Sequence, residues 1–298
     1  MIELRDANTR CTVSPEDGGR ISSLTVDGLA LLVERPTESA DPSHVDPPHA
    51  DPSHADPPHA DPPHADPMVW GLYPMAPFAG RVRNGRFTFD GNEYQLGLNH
   101  SPHAIHGTVF VQPWSVNDVG ARYVTMTCPL GAHWPFGGVA HQRIELGANG
   151  LVCRLGVTAD DLAMPAQVGW HPWFVKPASA RLEFARMYQR DGSGIPTGAL
   201  VPPPNGPWDD CFVEPSGPLQ LRYEHDDRAL TVTVDSDCDH WVVYDQPHHA
   251  TCVEPQSGPP DGFNGGGSGA CTRLDPHATL ERTMRLSWTS TVADPGRG

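Results

Sequence analysis

Apolar residues in this chain recur at every second position in short runs that stop at glycine, asparagine or aspartate, and this alternation confines the chain to strand structure. The sharpest case is FTFDGNEYQL, residues 87–96. Phe87 and Phe89 lead into Asp90-Gly91, and Tyr94 and Leu96 lead out, which is the local signature of two antiparallel strands joined by a tight turn. RIELGANGLVCRLGV, residues 143–157, repeats it around Asn149-Gly150, with Leu151, Cys153, Leu155 and Val157 on one face. Near the start, apolar runs at 11–13, 21–24 and 29–33 are separated by Asp17-Gly18-Gly19 and Asp27-Gly28. Residues 229–234, 241–244 and 280–288 add strands, the last with Met284, Leu286 and Trp288 on one face. No run has convincing helical spacing. Many short strands, 30 glycines and 33 prolines predict an all-β sandwich or barrel. No linker divides the chain, so a single domain is expected over residues 1–298.

One segment breaks the pattern. Residues 41–67 read DPSHV DPPHA DPSHA DPPHA DPPHA DP, with nine prolines and almost nothing apolar to bury, which predicts a mobile, extended surface insertion whose deletion leaves activity intact. Its histidines, His44, His49, His54, His59 and His64, form at most a weak metal-binding tract. The formal charge of -16 owes much to this repeat: six of the 36 acidic residues are its aspartates, and the other 30 face 20 basic residues. A moderately acidic chain without basic clusters is not expected to bind nucleic acid or an anionic membrane. The first residues carry no apolar run of the secretory kind and no segment is long enough to span a bilayer, so a soluble, cytoplasmic protein is expected. Seven cysteines, at 11, 128, 153, 211, 238, 252 and 271, stand singly without CxxC spacing, which predicts neither disulfides nor a zinc ribbon; Cys153 and Cys252 read as small core residues.

Three stretches carry ionisable residues among aromatics, prolines and glycines, and they are expected to converge on one sugar-sized pocket. The first, residues 77–107, has Arg81, Arg83 and Arg86 at one end of the hairpin and His100, His103 and His106 at the other. His106 precedes Gly107, which would let backbone approach a ligand; a loop histidine bonded to its own backbone is the alternative. Arg81 has the fork that grips vicinal hydroxyls or a carboxylate, or else it serves an ion pair. The second, VGWHPWF at 168–174, sets His171 between Trp170 and Trp173, two faces on which a pyranose could pack, or simply a buried histidine among aromatics. The third, CVEPQSGPPDGFN at 252–264, ends an apolar run on Glu254, where desolvation would strengthen a base, followed by Gln256; a strand-end acid facing solvent is the plain reading. Asp209 and Asp210 pose the same ambiguity. The histidine spacing matches no common ligand set, so no metal is expected. Phosphate-cradle, dinucleotide and GxSxG motifs are absent, and the glycine-rich 262–270 reads as a loop.

Taken in order, GGRISSL, PFAGRVRNGRFTFDG, NHSPHAIHG, GWHPWF, WDDCF and VEPQSGPPDGFN resemble the aldose 1-epimerase family, the galactose mutarotases and their hexose-6-phosphate relatives, over all but the repeat and the last few residues. The resemblance implies a large antiparallel β-sandwich of the galactose mutarotase-like kind. It implies an isomerase of carbohydrate metabolism that interconverts the anomers of an aldohexose without a cofactor, as a monomer or homodimer whose partner is a small sugar. By it, Glu254 is the general base at the anomeric hydroxyl and His171 the general acid at the ring oxygen. His106, Arg81, Asp209, Gln256 and Trp173 bind and orient the sugar, His106 also near the ring oxygen. Gly80 stands where the family commonly has Asn, and Trp173 where it commonly has Tyr, departures that bear on substrate rather than reaction. The alternatives are a hexose-6-phosphate 1-epimerase with Arg83 or Arg86 on the phosphate, and a sugar-binding protein on the same scaffold.

Overall fold

A computed structural model describes residues 1–35, 66–225, 228–265 and 270–292. The DPPHA repeat through residue 65 and the tail from residue 293, with the expectations attached to them, lie outside the described residues. Among the described residues there are strands and short 3-10 turns but no α-helix, and no helix is long and apolar enough to cross a membrane.

Two large antiparallel sheets dominate. The eleven-stranded sheet runs Ile2–Asp6, Thr9–Ser14, Arg20–Val26, Leu72–Met75, Gly169–Val175, Ala250–Gln256, His240–Tyr244, Asp209–Pro215, Phe184–Arg190 and Pro196–Val201, with Leu29–Ala30 attached to the third strand. The eight-stranded sheet runs Ser115–Val119, Tyr123–Pro129, Val139–Gly147, Gly150–Thr158, Thr279–Val292, Arg228–Ser236, Leu219–His225 and Ser179–Arg181. Both expected hairpins form. Asp90 and Gly91 take φ of 48° and 78° between Arg86–Phe89 and Asn92–Gln95, the doubly left-handed turn that matches strand twist. Gly147 pairs with Gly150 across the second.

Period-two alternation sets the packing. In Val139–Gly147 it buries Ala140, Gln142, Ile144 and Leu146, and in Gly150–Thr158 it buries Leu151, Cys153, Leu155 and Val157. These join Leu4, Ile21, Trp170, Phe174, Val243 and Val253 of the other sheet in one apolar cluster between the sheets. Each such aliphatic side chain stabilises the fold by about 1.5–3 kcal/mol relative to exposure. The middle of the larger sheet departs from alternation: Gly169–Val175 and Ala250–Gln256 are buried on both faces almost throughout. One face joins the core. The other carries a smaller cluster that includes Tyr73, Met75, Phe110, Trp173 and Cys252, and here the ionisable residues gather.

Candidate active site

Strand register does most of the assembly. Gly169 pairs with Gln256 and Trp173 with Cys252, which brackets His171 opposite Glu254; on the other side His171 pairs with Tyr73. Cys252 also pairs with Tyr244, and Tyr244 with Asp209. Residues opposite one another project to the same face. That face therefore carries Tyr73, His171 and Glu254 in one row and Trp173, Cys252, Tyr244 and Asp209 in the next. The register puts Asp209 in this row and its neighbour Asp210 out of phase with it.

At the centre, His171 Nε2 lies 3.1 Å from Glu254 Oε1, with both side chains under 10% exposed. Gln256 Nε2 donates to Glu254 Oε2 at 3.1 Å. The imidazole is layered between Tyr73 (centroids 4.8 Å apart, planes 23° apart) and Trp173 (5.3 Å, 15°). Burial, reinforced by the charge on Asp209 and only partly countered by Gln256 and Arg81, holds the Glu254 carboxyl far above the ordinary glutamate range. Burial also pushes His171 down to about 3. Both directions favour uncharged partners, so the proton between them rests on the carboxyl, which donates to the imidazole. Moving it across converts the pair to carboxylate and imidazolium without taking up or losing a proton. The pair can thus serve as base and acid from one stored proton.

His106 reaches the same space from a loop. Its ring meets His171 edge-on at 5.0 Å and Tyr73 at 5.9 Å, and its Nδ1 is buried without a hydrogen-bond partner, as is Oε1 of Gln256. Burial, then the neighbouring His171, keeps it neutral by lowering its pKa well below 6.5. A φ of 61° is costly for histidine and turns the side chain inward. Gly107 acts differently from the expectation: a Cβ there would lie 2.0 Å from the Ala76 carbonyl oxygen, so this glycine lets two backbone segments meet and does not face a ligand. Gly80 is left-handed too (φ 66°), and its missing side chain is covered by Pro260, whose Cβ would lie 2.9 Å from an added Cβ. Of the tryptophan pair, Trp170 is fully buried in the inter-sheet core, and Trp173 is stacked between His171 (5.3 Å, 15°) and His249 (6.3 Å, 10°). Neither presents an open face as the sequence suggested; Trp173 instead backs the imidazole.

The rim is charged. Arg190 donates from Nη1 to Asp209 Oδ2 at 3.0 Å and reaches Asp210 Oδ1 from Nε at 2.7 Å. Arg81, its side chain 25% exposed, stands 4.0 Å from the same Asp209 oxygen. Arg83 is held by Asp191 at 2.6 Å and lies 3.8 Å from Asp261, while Arg86 donates to Gln95 at 2.8 Å. Arg83 and two backbone amides hold the Asp191 carboxyl down at about 2. Asp261 also accepts from the Arg83 backbone and from Asn264, tying the glycine-rich loop to the arginine segment. His103 is occupied locally, its Nδ1 accepting from the Asn84 backbone at 3.1 Å.

Four contributors escape a reading of local motifs. Arg190 has no distinguishing neighbours in sequence. Tyr73 forms the second wall of the imidazole. Behind it Arg20 is buried, donating to the carbonyls of Asp17, Pro67, Trp70 and Phe110 and stacking on Trp70 at 4.1 Å and Tyr73 at 5.2 Å. Cys252 is buried as expected, but on the site face, where its Sγ, a ring nitrogen of His171 and a carboxylate oxygen of Glu254 all lie within 4.8 Å of one another. Its period-two offset from Glu254 is the signal that marks it.

Residues 72–287 match the family model described as Aldose 1-epimerase. The uncharacterized protein YihR of Escherichia coli K12 is 27% identical over 220 residues, 64% of this chain and 71% of that one. Among solved structures, a galactose mutarotase-like protein from Clostridium acetobutylicum superposes with a TM-score of 0.75 at 15% identity, covering 97% of this chain and 95% of that one. Galactose 1-epimerase from Lactobacillus acidophilus gives 0.70 at 15% identity, covering 96% and 92%. At such identities the structural likeness concerns the fold.

Proposed function

We propose, starting from the fact that this chain belongs to the aldose 1-epimerase family, that it interconverts the α and β anomers of a free aldohexose by acid–base opening and reclosure of the ring. The observation that carries the reading is the buried 3.1 Å contact between His171 and Glu254. The anomeric hydroxyl and the ring oxygen hang from the same carbon, so the groups serving them must be neighbours. Transfer of the stored proton from Glu254 to His171 creates carboxylate and imidazolium. Glu254 then takes the proton from O1 as His171 gives its own to O5, the C1–O5 bond breaks and the aldehyde forms. The pair is now back in its uncharged state. Rotation about C1–C2 presents the other face of the carbonyl, and the same transfers in reverse close the opposite anomer. Nothing is consumed, so the reading calls for neither a metal nor an organic cofactor.

His106, Gln256, Arg81 and Asp209 orient the sugar, the first two through buried polar atoms that no protein group engages. Trp173, stacked on His171, holds the imidazole in place against the sugar. A neutral sugar suits the rim better than a sugar phosphate, because Arg83 already answers Asp191 and Asp261. The same reading takes the chain as one domain, acting in the cytoplasm as a monomer or homodimer.

Polarimetry of fresh α-D-glucose and α-D-galactose tests it. Wild type should hasten the approach to anomeric equilibrium, and Glu254→Gln should lose about 10²–10⁴-fold in kcat while sugar binding by calorimetry persists. A Glu254→Gln variant with wild-type kcat overturns the assignment.

A further inference from the structure

We propose that this site also binds a soft divalent cation of the zinc class through His171, Cys252 and Glu254, and that its occupation shuts off the sugar reaction. The inhibition rests on the reading above; the binding does not. Three donors of different kinds, an imidazole nitrogen, a thiol sulfur and a carboxylate oxygen, lie within 4.8 Å of one another on two adjacent strands. Ligands of one tetrahedral zinc, at about 2.0–2.3 Å from the metal, sit about 3.3–3.8 Å from each other. Side-chain torsion alone closes that difference, with no movement of strands fixed by their ladder. Three protein ligands leave the fourth position to water, the arrangement zinc adopts at open sites. Exposure rises outward from Glu254 at 2% to His171 at 7%, and then to Arg81 at 25% and Asp209 at 28%, which marks the way in.

The thiol decides which ions qualify. Magnesium and calcium take oxygen ligands, whereas zinc, cadmium and cobalt accept sulfur and imidazole. The reaction proposed above makes no use of Cys252, whose thiol is kept protonated by burial. Metal binding releases the thiol proton and the proton stored between Glu254 and His171 to solvent, and sulfur, oxygen and nitrogen each donate a pair to the metal. No oxidant or reductant is involved. The base and the acid are then ligands, and neither can act on sugar.

The test uses the full chain, with Zn²⁺, Co²⁺ or Mg²⁺ as probe, and compares wild type with Cys252→Ser. Zn²⁺ should inhibit mutarotation by wild type, excess sugar or EDTA should relieve it, and Mg²⁺ should have no effect. Measured against its own metal-free rate, Cys252→Ser should need at least about 10-fold more Zn²⁺ for the same fractional inhibition. It retains every other histidine and cysteine, so binding elsewhere on the chain cancels in the comparison. Separately, and without sugar, Co²⁺ should give the visible and thiolate charge-transfer bands of a sulfur-bound tetrahedral ion in wild type only. Cys252→Ala replaces the serine variant if a buried hydroxyl prevents folding. Equal inhibition of wild type and variant, or cobalt–thiolate bands that survive the substitution, overturns the proposal. Bands that depend on Cys252 in a protein inactive on every sugar would leave the metal site standing and remove the catalytic reading. Active wild type indifferent to Zn²⁺ does the reverse.

Discussion

The strand-borne row of Tyr73, His171, Glu254 and Gln256 and the rim of Arg81, Arg83, Arg190, Asp191 and Asp209 adjoin one another but are built on opposite electrostatic terms. In the row, an acid and a base are buried together and kept uncharged by desolvation, with aromatic rings on either side of the imidazole. In the rim, full charges meet at 2.6–3.0 Å with a quarter or more of most of their side chains in water. A buried pair has its acid raised and its base lowered by desolvation, so both rest uncharged and hold one proton for exchange with a sugar. A partly hydrated ion pair keeps its charges fixed and changes its geometry cheaply, which suits holding hydroxyls. On the reading proposed above, the chemistry belongs to the buried row and most of the recognition to the rim.

Substituting one residue in each region separates the two roles. His171→Asn keeps a polar group of similar reach between Tyr73 and Trp173 but cannot carry the proton, so kcat should fall about 10²–10⁴-fold with KM changed little. Stopped polarimetry over a range of sugar concentrations gives both constants. A loss confined to KM would move His171 out of the chemistry and into binding. The rim should respond the other way. Arg190→Met removes the 3.0 Å donor to Asp209 while keeping most of the aliphatic stem. Partial exposure discounts the charge-assisted bond, so a rise in KM of about 10-fold is expected, with kcat nearly preserved. A large fall in kcat with unchanged KM would show that Asp209 is coupled to the proton transfers rather than to sugar orientation.

The two regions also differ in how far the sequence reveals them. Hairpins are local: Asp90-Gly91 announces the first because positive φ at its turn restricts residue choice, and Asn149-Gly150 marks the second as a break between two alternating runs. Glu254 and His171 stand out because each ends or interrupts an apolar run. Their partners are legible by parity: Trp173 and Cys252 share a face with them at a spacing of two, whereas Trp170, adjacent to His171, must face the core. Parity thus removes one of the two tryptophan platforms that residue type alone suggests, and the stacking of His171 and His249 covers the other. Contacts made across long stretches of chain are not legible. Arg190 finds Asp209, Asp191 finds Arg83, and Gly107 is glycine because of Ala76, three pairings fixed only when the sheets close. Arg20 belongs with these, since its four carbonyl acceptors come from three separate segments.

The smallest effect concerns stability, and it asks whether the row is costly because it is active. Glu254 in the folded chain holds its proton to far higher pH than an unfolded glutamate, which releases it near 4.5. Between those two values the unfolded state binds fewer protons than the folded state. Folding stability contributed by this group is therefore complete below about 4.5 and is lost as pH rises toward the folded value, at about 1.4 kcal/mol per unit of displacement. His171 works from the other side: an unfolded histidine protonates near 6.5 and the buried one only at about 3, so its contribution is lost as pH falls between them. Glutamine at 254 keeps an acceptor for Gln256 and a donor for His171 but has no proton to lose. Glu254→Gln should consequently melt above wild type at pH 8, by about 2–4 °C for each kcal/mol recovered, and the gap should close as pH falls to 4.5. Melting curves of the two proteins across that range provide the measurement. Equal melting temperatures at pH 8 would mean that the carboxylate is solvated or countered better than its burial implies, and the electrostatic contrast between row and rim would collapse.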